Sequence, residues 1–274
     1  MLRRLLVGIA LTLGAGSAWA ESAHGHDGLG GAAPTRGDGP RYMVAFTFDD
    51  GPSETFTPRI LRALAKHDVP ATFFVVGRDL ADRPKRRALL GAIARAGHAI
   101  GNHTFGHARL TALAPAARDA ELDRLAAIVE AETGTRPTTV RPPYGASSPT
   151  LRAALAARGL TEVRWNVDPR DWAFTDPEPL RAAVLDAIIQ ARGGIVLLHD
   201  TERVTALAFP GVLADLEAWN CARVRRGKEP ILPVSLHYFL RDGETPRPVP
   251  PEVEARTERF RDALLARCGP EVAD

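Results

Sequence analysis

His103 and His107 stand four residues apart, the spacing at which two imidazoles on one face of a helix share a single metal ion. Two histidines do not fill a coordination sphere. Asp49 and Asp50, at the end of an apolar run, supply the missing carboxylate, and either can be the donor. In an extended segment consecutive side chains point to opposite faces. One aspartate would then bind the metal while the other meets the reacting water or a supporting partner. His199 closes a fully apolar run, Ile195 to Leu198, and a histidine there titrates close enough to neutral pH to serve as a general acid. Asp171 is the candidate to tune it, because a carboxylate on the far ring nitrogen favours imidazolium.

These residues need a scaffold that brings them to one place. Strand-like runs begin at Tyr42 (YMVAFTF), Ala71 (ATFFVV), His98 (HAI), Thr138 (TTV), Glu162 (EVRWNV), Gly194 (GIVLL) and Ile231 (ILPVSLHYF). Between them, Ala/Leu/Arg-rich segments of helical period predict helices over 58–67, 84–96, 115–133, 149–158, 177–192 and 209–219. Pro58, Pro84, Pro149 and Pro177 mark helix starts, and Gly97, Gly134, Gly159 and Gly193 mark stops. The alternation predicts an α/β fold, a distorted or incomplete (β/α) barrel with about seven parallel strands. Each polar cluster directly follows a strand: DDGP, GNHTFGH, RPPYG, DPRDW and HD. Loops at the C-terminal rim of a barrel converge, so the five clusters are expected to form one site. Tyr144 and Trp172 are of a type more often found as core aromatics, yet both lie in those loops, where an aromatic ring can stack on a sugar face.

The remaining features bound the function. A hydrophobic share of 45% and a charged share of 25% are ordinary globular values, which excludes a wholly disordered chain. The formal net charge is +2, and Arg3 and Arg4 account for both units, so nothing points to a nucleic-acid partner. Residues 1–20 read as an export signal: Arg3 and Arg4, the apolar stretch Leu5 to Ala15, and a cleavage site at Ala18-Trp19-Ala20. That places the mature protein in the periplasm or outside the cell, with no stable membrane span. Residues 21–40, rich in Gly and Pro, read as a flexible linker in which His24 and His26 are solvated. The catalytic domain is expected over 41–241. Beyond it, residues 242–274 form a Pro-rich tail with one amphipathic helix near 252–266, an appendage rather than a second domain. Cys221 and Cys268 can pair in an oxidising compartment if the fold brings them together; two separate buried thiols are the alternative.

Taken together, TFDDGP (Thr47 to Pro52), HTFGH (His103 to His107), RPPYG (Arg141 to Gly145), DPRDW (Asp168 to Trp172) and LLHD (Leu197 to Asp200) resemble, in order, the five motifs of the polysaccharide deacetylase family. This family is also called the NodB-homology domain or carbohydrate esterase family 4. The resemblance covers about residues 42–240 and leaves both ends outside it. It implies a hydrolase that removes acetyl groups from N-acetylated polysaccharides or oligosaccharides through a metal-bound water. Asp50, His103 and His107 would be the metal ligands, for Zn²⁺ or for Co²⁺ or another divalent ion in its place. Asp49 would be the base, Arg141 the arginine that keeps it ionised, and His199 the general acid tuned by Asp171. The resemblance also makes Leu197 part of the pocket for the acetyl methyl, and the Tyr144 backbone N–H a stabiliser of the oxyanion. The segment NCARVRRGKEP and the Pro-rich tail depart from the motifs and bear on specificity rather than chemistry. An amidohydrolase of the same fold acting on a small non-sugar amide, and an inactive carbohydrate-binding protein, are the competing expectations.

Overall fold

The computed structural model describes residues 40–242 and 245–269, so the expected export signal (1–20) and all of the expected linker (21–40) but its last residue lie outside the described residues. In chain order the elements are β1 (Met43–Asp49), α1 (Thr57–Lys66), β2 (Ala71–Val75), α2 (Arg78–Ala81), α3 (Pro84–Arg95), β3 (Ala99–Asn102) and α4 (Pro115–Thr133). There follow β4 (Thr139–Val140), α5 (Pro149–Ala156), β5 (Thr161–Glu162), α6 (Pro177–Ala191), β6 (Gly193–His199), α7 (Arg203–Val224) and β7 (Leu232–Pro233). A short antiparallel pair, β8 (Arg241–Asp242) and β9 (Thr245–Pro246), precedes α8 (Pro251–Cys268).

Strands β1 to β7 form one parallel sheet in the order β5-β4-β3-β2-β1-β6, with β7 against the start of β1. Past β5, Val167 bridges Val196 and its carbonyl accepts from the Leu197 N–H at 2.9 Å. The chain therefore closes onto β6, and the sheet becomes the distorted (β/α) barrel expected from the strand-helix alternation.

Strand alternation divides the apolar side chains into two cores. Val44, Phe46 and Phe48 point outward and pack with Ile60 and Leu64 of α1 and Phe209, Val212 and Leu216 of α7. Phe209 meets Phe46 and Phe48 edge-on at 5.2 and 5.1 Å between ring centroids. Met43 and Ala45 point inward and pack with Phe74, Val163 and Ile195 inside the barrel. The inward row of β1 turns polar above Ala45, at Thr47 and Asp49, and this places the site at the C-terminal rim.

Helix starts follow their local chemistry. Pro occupies the first turn of α1, α3, α4, α5, α6 and α8, and the side chains of Ser148 and Asp176 cap α5 and α6. Two expected strands are mostly not strands. In EVRWNV only Glu162 pairs in the ladder, because the segment crosses from β4 to β6 and trades regular pairing for closure. In ILPVSLHYF the strand stops at Pro233, which has no N–H for a ladder, and Leu236–Phe239 forms a turn of 3₁₀ helix. Helix α7 begins at Arg203 rather than near 209. It continues through Pro210 because its buried face, from Val204 to Leu216, is held by the outer core.

The C-terminal segment is less of an appendage than its composition suggests. Leu264 and Cys268 of α8 are fully buried with Leu232 and Val234, and Cys268 is disulfide-bonded to Cys221 of α7. The bond closes a loop over a sequence separation of 47 residues, worth about 4 kcal/mol in the chain-entropy estimate. Replacing both cysteines by serine is expected to lower the unfolding free energy by up to that amount, read from the urea midpoint. An unchanged midpoint would show that the link does no thermodynamic work. Among the described residues no helix is long and apolar enough to cross a membrane.

Candidate active site

Asp49 ends β1 on the barrel's inner face, 3% exposed. One carboxylate oxygen accepts from Arg141 Nη1 at 2.7 Å, and the other lies 3.8 Å from His103 Nε2. Arg141, at the end of β4, is fully buried. Its guanidinium also donates to Thr47 Oγ1 and lies 4.2 Å from the Phe74 ring centroid. Burial lowers its pKa, the charge and hydrogen bond of Asp49 act against that, and a guanidinium so placed stays protonated. The pair is therefore a buried, charge-compensated unit with one aspartate oxygen left facing the histidines.

Asp50 adopts a left-handed backbone, with φ 72°. This corrects the expectation from strand alternation that Asp49 and Asp50 diverge: the strand ends between them, and the reversal turns Asp50 back to the same side. Its Oδ1 lies 3.4 Å from His103 Nε2 and 3.2 Å from His107 Nε2. Burial raises the Asp50 carboxyl, but the two imidazoles beside its Oδ1 outweigh it and hold the group well below the usual carboxylate range. The next residue, Gly51, lies against the fully buried Asp200. A Cβ at position 51 would sit 2.1 Å from Asp200 Oδ1. Asp200 also accepts from Thr57 Oγ1, so it braces the turn that carries both aspartates.

The two histidines do not share a helical face. Residues 103–109 are irregular, with left-handed φ at Thr104 (67°) and His107 (58°). Hydrogen bonds hold the loop: Asn102 Oδ1 accepts from the Thr104 N–H at 2.8 Å, and Thr104 Oγ1 accepts from the Ala108 N–H at 3.0 Å. Side chains meet because the loop doubles back, not because of helical periodicity. His103 Nδ1 donates to the Arg141 carbonyl at 2.6 Å, and Tyr144 Oη lies 3.2 Å from His107 Nδ1. Both contacts leave Nε2 as the nitrogen turned toward Asp50.

This cluster passes a test of fit for a divalent cation. One ligand atom each from Asp50, His103 and His107 lies within 4.8 Å of the others, and Asp50 Oδ1 is a buried acceptor without a hydrogen-bond partner. A carboxylate and two imidazoles are the donor set of open, hydrolytic metal sites.

At the end of the neighbouring strand β6, His199 Nδ1 lies 2.7 Å from Asp171 Oδ1, and the His199 N–H donates to Asp171 Oδ2 at 2.7 Å. Burial alone would lower the imidazole. The hydrogen bond and charge of Asp171, aided by the charges of Asp49 and Asp50, overcome that and push it up to about 9. Asp171 is itself fixed by Thr205 Oγ1 at 2.6 Å, from the first turn of α7. Register places His199 opposite Asp49 and Leu197 opposite Thr47, so Leu197 lines the interior face just below the site.

Tyr144 and Trp172 are 63% and 53% exposed, which makes them rim side chains and not core aromatics. All ten candidate residues thus lie on or just below one rim. The contributions of Thr47, Thr57, Asp200 and Thr205 were not legible in the sequence. A threonine in a strand or a helix start has no distinguishing pattern, although the Asp200 that follows His199 was visible as a pair. Of the non-glycine residues with left-handed φ among those described, Asp50, Thr104, His107, Tyr144 and Arg170 all fall in the site loops. Such conformations cost energy and cluster where geometry is functional.

A distorted parallel barrel whose rim joins an arginine-paired carboxylate, a carboxylate and two histidines, and an aspartate-tuned histidine defines a hydrolase-type site. Residues 36–163 match the family described as Polysaccharide deacetylase. A chitooligosaccharide deacetylase of a Bradyrhizobium strain is 42% identical over 158 residues, 57% of this chain and 70% of that protein. A peptidoglycan-N-acetylglucosamine deacetylase of Listeria monocytogenes is 34% identical over 64% of this chain, a match that spans 36% of that larger protein. Among solved structures, a family 4 carbohydrate esterase from Streptomyces lividans in complex with acetate aligns with a TM-score of 0.57 at 34% identity. That alignment covers 65% of this chain and 88% of the other. The chain belongs to the polysaccharide deacetylase family and is an enzyme of that family.

Proposed function

We propose that this protein is an exported, metal-dependent deacetylase of N-acetylated amino-sugar polysaccharides or oligosaccharides. Its catalytic domain spans residues 41–241, residues 1–20 are the export signal, residues 21–40 a linker, and 242–274 a tail. One observation carries the reading: the free oxygen of the buried Asp49–Arg141 pair faces the Asp50, His103 and His107 cluster, with His199 opposite. The relatives' names, for chitooligosaccharide and peptidoglycan deacetylases, support the substrate class.

Asp50, His103 and His107 would hold the cation, Zn²⁺ or in its place Co²⁺ or another divalent ion. When bound, it supplies Lewis acidity at the amide carbonyl and lowers the pKa of water. Asp49 takes the proton of the attacking water at the oxygen that Arg141 does not occupy. Arg141 keeps that carboxylate ionised and oriented. His199, held as imidazolium by Asp171, delivers a proton from Nε2 to the leaving amine, without which an amine is expelled poorly. The backbone N–H of Tyr144 stabilises the oxyanion, and Leu197 contributes to the pocket for the acetyl methyl.

The direct test is acetate release from N-acetylglucosamine oligomers by protein as isolated, stripped by chelator, and restored with Zn²⁺ or Co²⁺. Release that disappears with chelator and returns with metal is expected. No release from any glycan, with hydrolysis of a small amide instead, would overturn the substrate class; no release and no metal uptake would favour an inactive binding protein.

The pH dependence tests the acid. His199 acts while protonated, so a pKa near 9 holds activity up to alkaline pH. Asp171→Asn removes the dominant influence raising it and is expected to move the alkaline limb of kcat/KM down by about 1 to 3 pH units. An alkaline limb that stays in place would assign it to another group.

A further inference from the structure

Two exposed arginines sit on the two exposed aromatics of the rim. The Arg109 guanidinium carbon lies 4.9 Å from the Tyr144 ring centroid, and that of Arg170 lies 5.0 Å from the Trp172 centroid. Tyr144 touches His107, so the first pair flanks the cluster side. Trp172 follows Asp171, so the second flanks the His199 side.

Within the site Asp49 is balanced by Arg141 and Asp171 by protonated His199, while Asp50 belongs to the cation cluster with His103 and His107. The two rim guanidinium groups are not cancelled. Among the described residues neither is ion-paired to a carboxylate, and the two acids flanking Arg170 in sequence are engaged elsewhere: Asp168 accepts from the Arg170 backbone N–H at 2.9 Å and from Trp165 Nε1 at 3.3 Å, and Asp171 is held by His199 and Thr205. A ring face fixes a guanidinium without neutralising it. The rim therefore offers a fixed positive charge on each side of the reacting centre, attached to the rings on which flanking sugars would stack.

We propose that Arg109 and Arg170 are specificity-determining residues that select N-acetylated glycans carrying carboxylate or phosphate groups on the sugars flanking the one that is deacetylated. The inference rests on the deacetylase reading and narrows its substrate.

The test compares each acidic oligomer with a matched neutral one. An N-acetylglucosamine tetramer bearing 3-O-lactyl carboxylates on alternate sugars is set against its methyl ester, and a 6-O-phosphorylated tetramer against its unmodified parent. Each pair is measured as kcat/KM on the metal-loaded enzyme and as Kd by calorimetry on metal-loaded Asp49→Asn. The acidic form is expected to win about 3- to 10-fold at low salt, in both readouts, and to lose most of that margin at 0.5 M NaCl. Whichever pair shows the margin identifies the anionic group. R109Q/R170Q is expected to bring the ratio close to one, and R109K/R170K to keep most of it. A ratio of one or less for both pairs in the wild type, or one unchanged in R109Q/R170Q, overturns the proposal. A charge preference in Kd without acetate release from any oligomer would instead overturn the deacetylase reading and leave charge selection standing.

Discussion

Asp49→Asn is expected to lower kcat for acetate release by about 10²- to 10⁴-fold while metal content stays near that of the wild type. The amide keeps an oxygen for Arg141 Nη1, 2.7 Å away, and so keeps the local geometry. What it loses is the charge and the basic oxygen facing His103. A stability cost comes with this, because a fully buried Arg141 loses its counter-ion. Removing one partner of a buried pair costs about 3 to 5 kcal/mol when the remaining charge is uncompensated. The acceptors retained from Thr47, Val163 and Arg164 reduce that cost. Turnover, metal analysis and thermal unfolding on the same preparation separate these effects. A folded, metal-loaded variant with near wild-type turnover would remove Asp49 from the role of base.

His103→Ala is expected to weaken divalent-metal affinity by more than about 100-fold, the upper range for loss of a group that only supports a ligand. Activity would fall in parallel and recover in part at high free metal. His103 is 3% exposed, and its Nδ1–H on the Arg141 carbonyl turns Nε2 toward Asp50. The substitution thus removes a donor atom and a strut between the metal cluster and the base–arginine pair. Competition against a chromophoric chelator measures the affinity directly. Wild-type affinity in this variant would exclude His103 from the ligand set. Activity lost with affinity intact would make it a positioning residue.

The two substitutions differ because of where the chain puts the side chains, and that division recurs through the molecule. Strand-helix alternation, proline at helix starts and glycine at helix ends were legible because they express local backbone preferences, which survive packing almost unchanged. The five polar clusters were legible for a related reason: in a parallel barrel every strand's C-terminal end lies on one rim, so clusters far apart in sequence must meet. Local reasoning failed where tertiary contacts set the backbone. The spacing of His103 and His107 puts them on one face only if the segment is helical, and instead the pair meets through a loop held in left-handed conformations by Asn102 and Thr104. Alternation suggested that Asp49 and Asp50 diverge, yet a reversal at Asp50, packed over Asp200 at Gly51, brings them together. Helix α7 runs two turns further back than its pattern suggested, and those turns carry the Thr205 that fixes Asp171.

By itself, the sequence determined which groups could do chemistry, the barrel class, and the rim on which those groups gather. Only the tertiary structure decided which oxygen of Asp49 is free, which nitrogen each histidine presents, that Cys221 and Cys268 are joined, and that Arg109 and Arg170 lie on the rim aromatics. The physical reason is range. Secondary structure follows from neighbours a few residues away, whereas protonation, ligand geometry and charge placement depend on partners that meet only when the barrel closes, such as Asp49 with Arg141 at a sequence separation of 92.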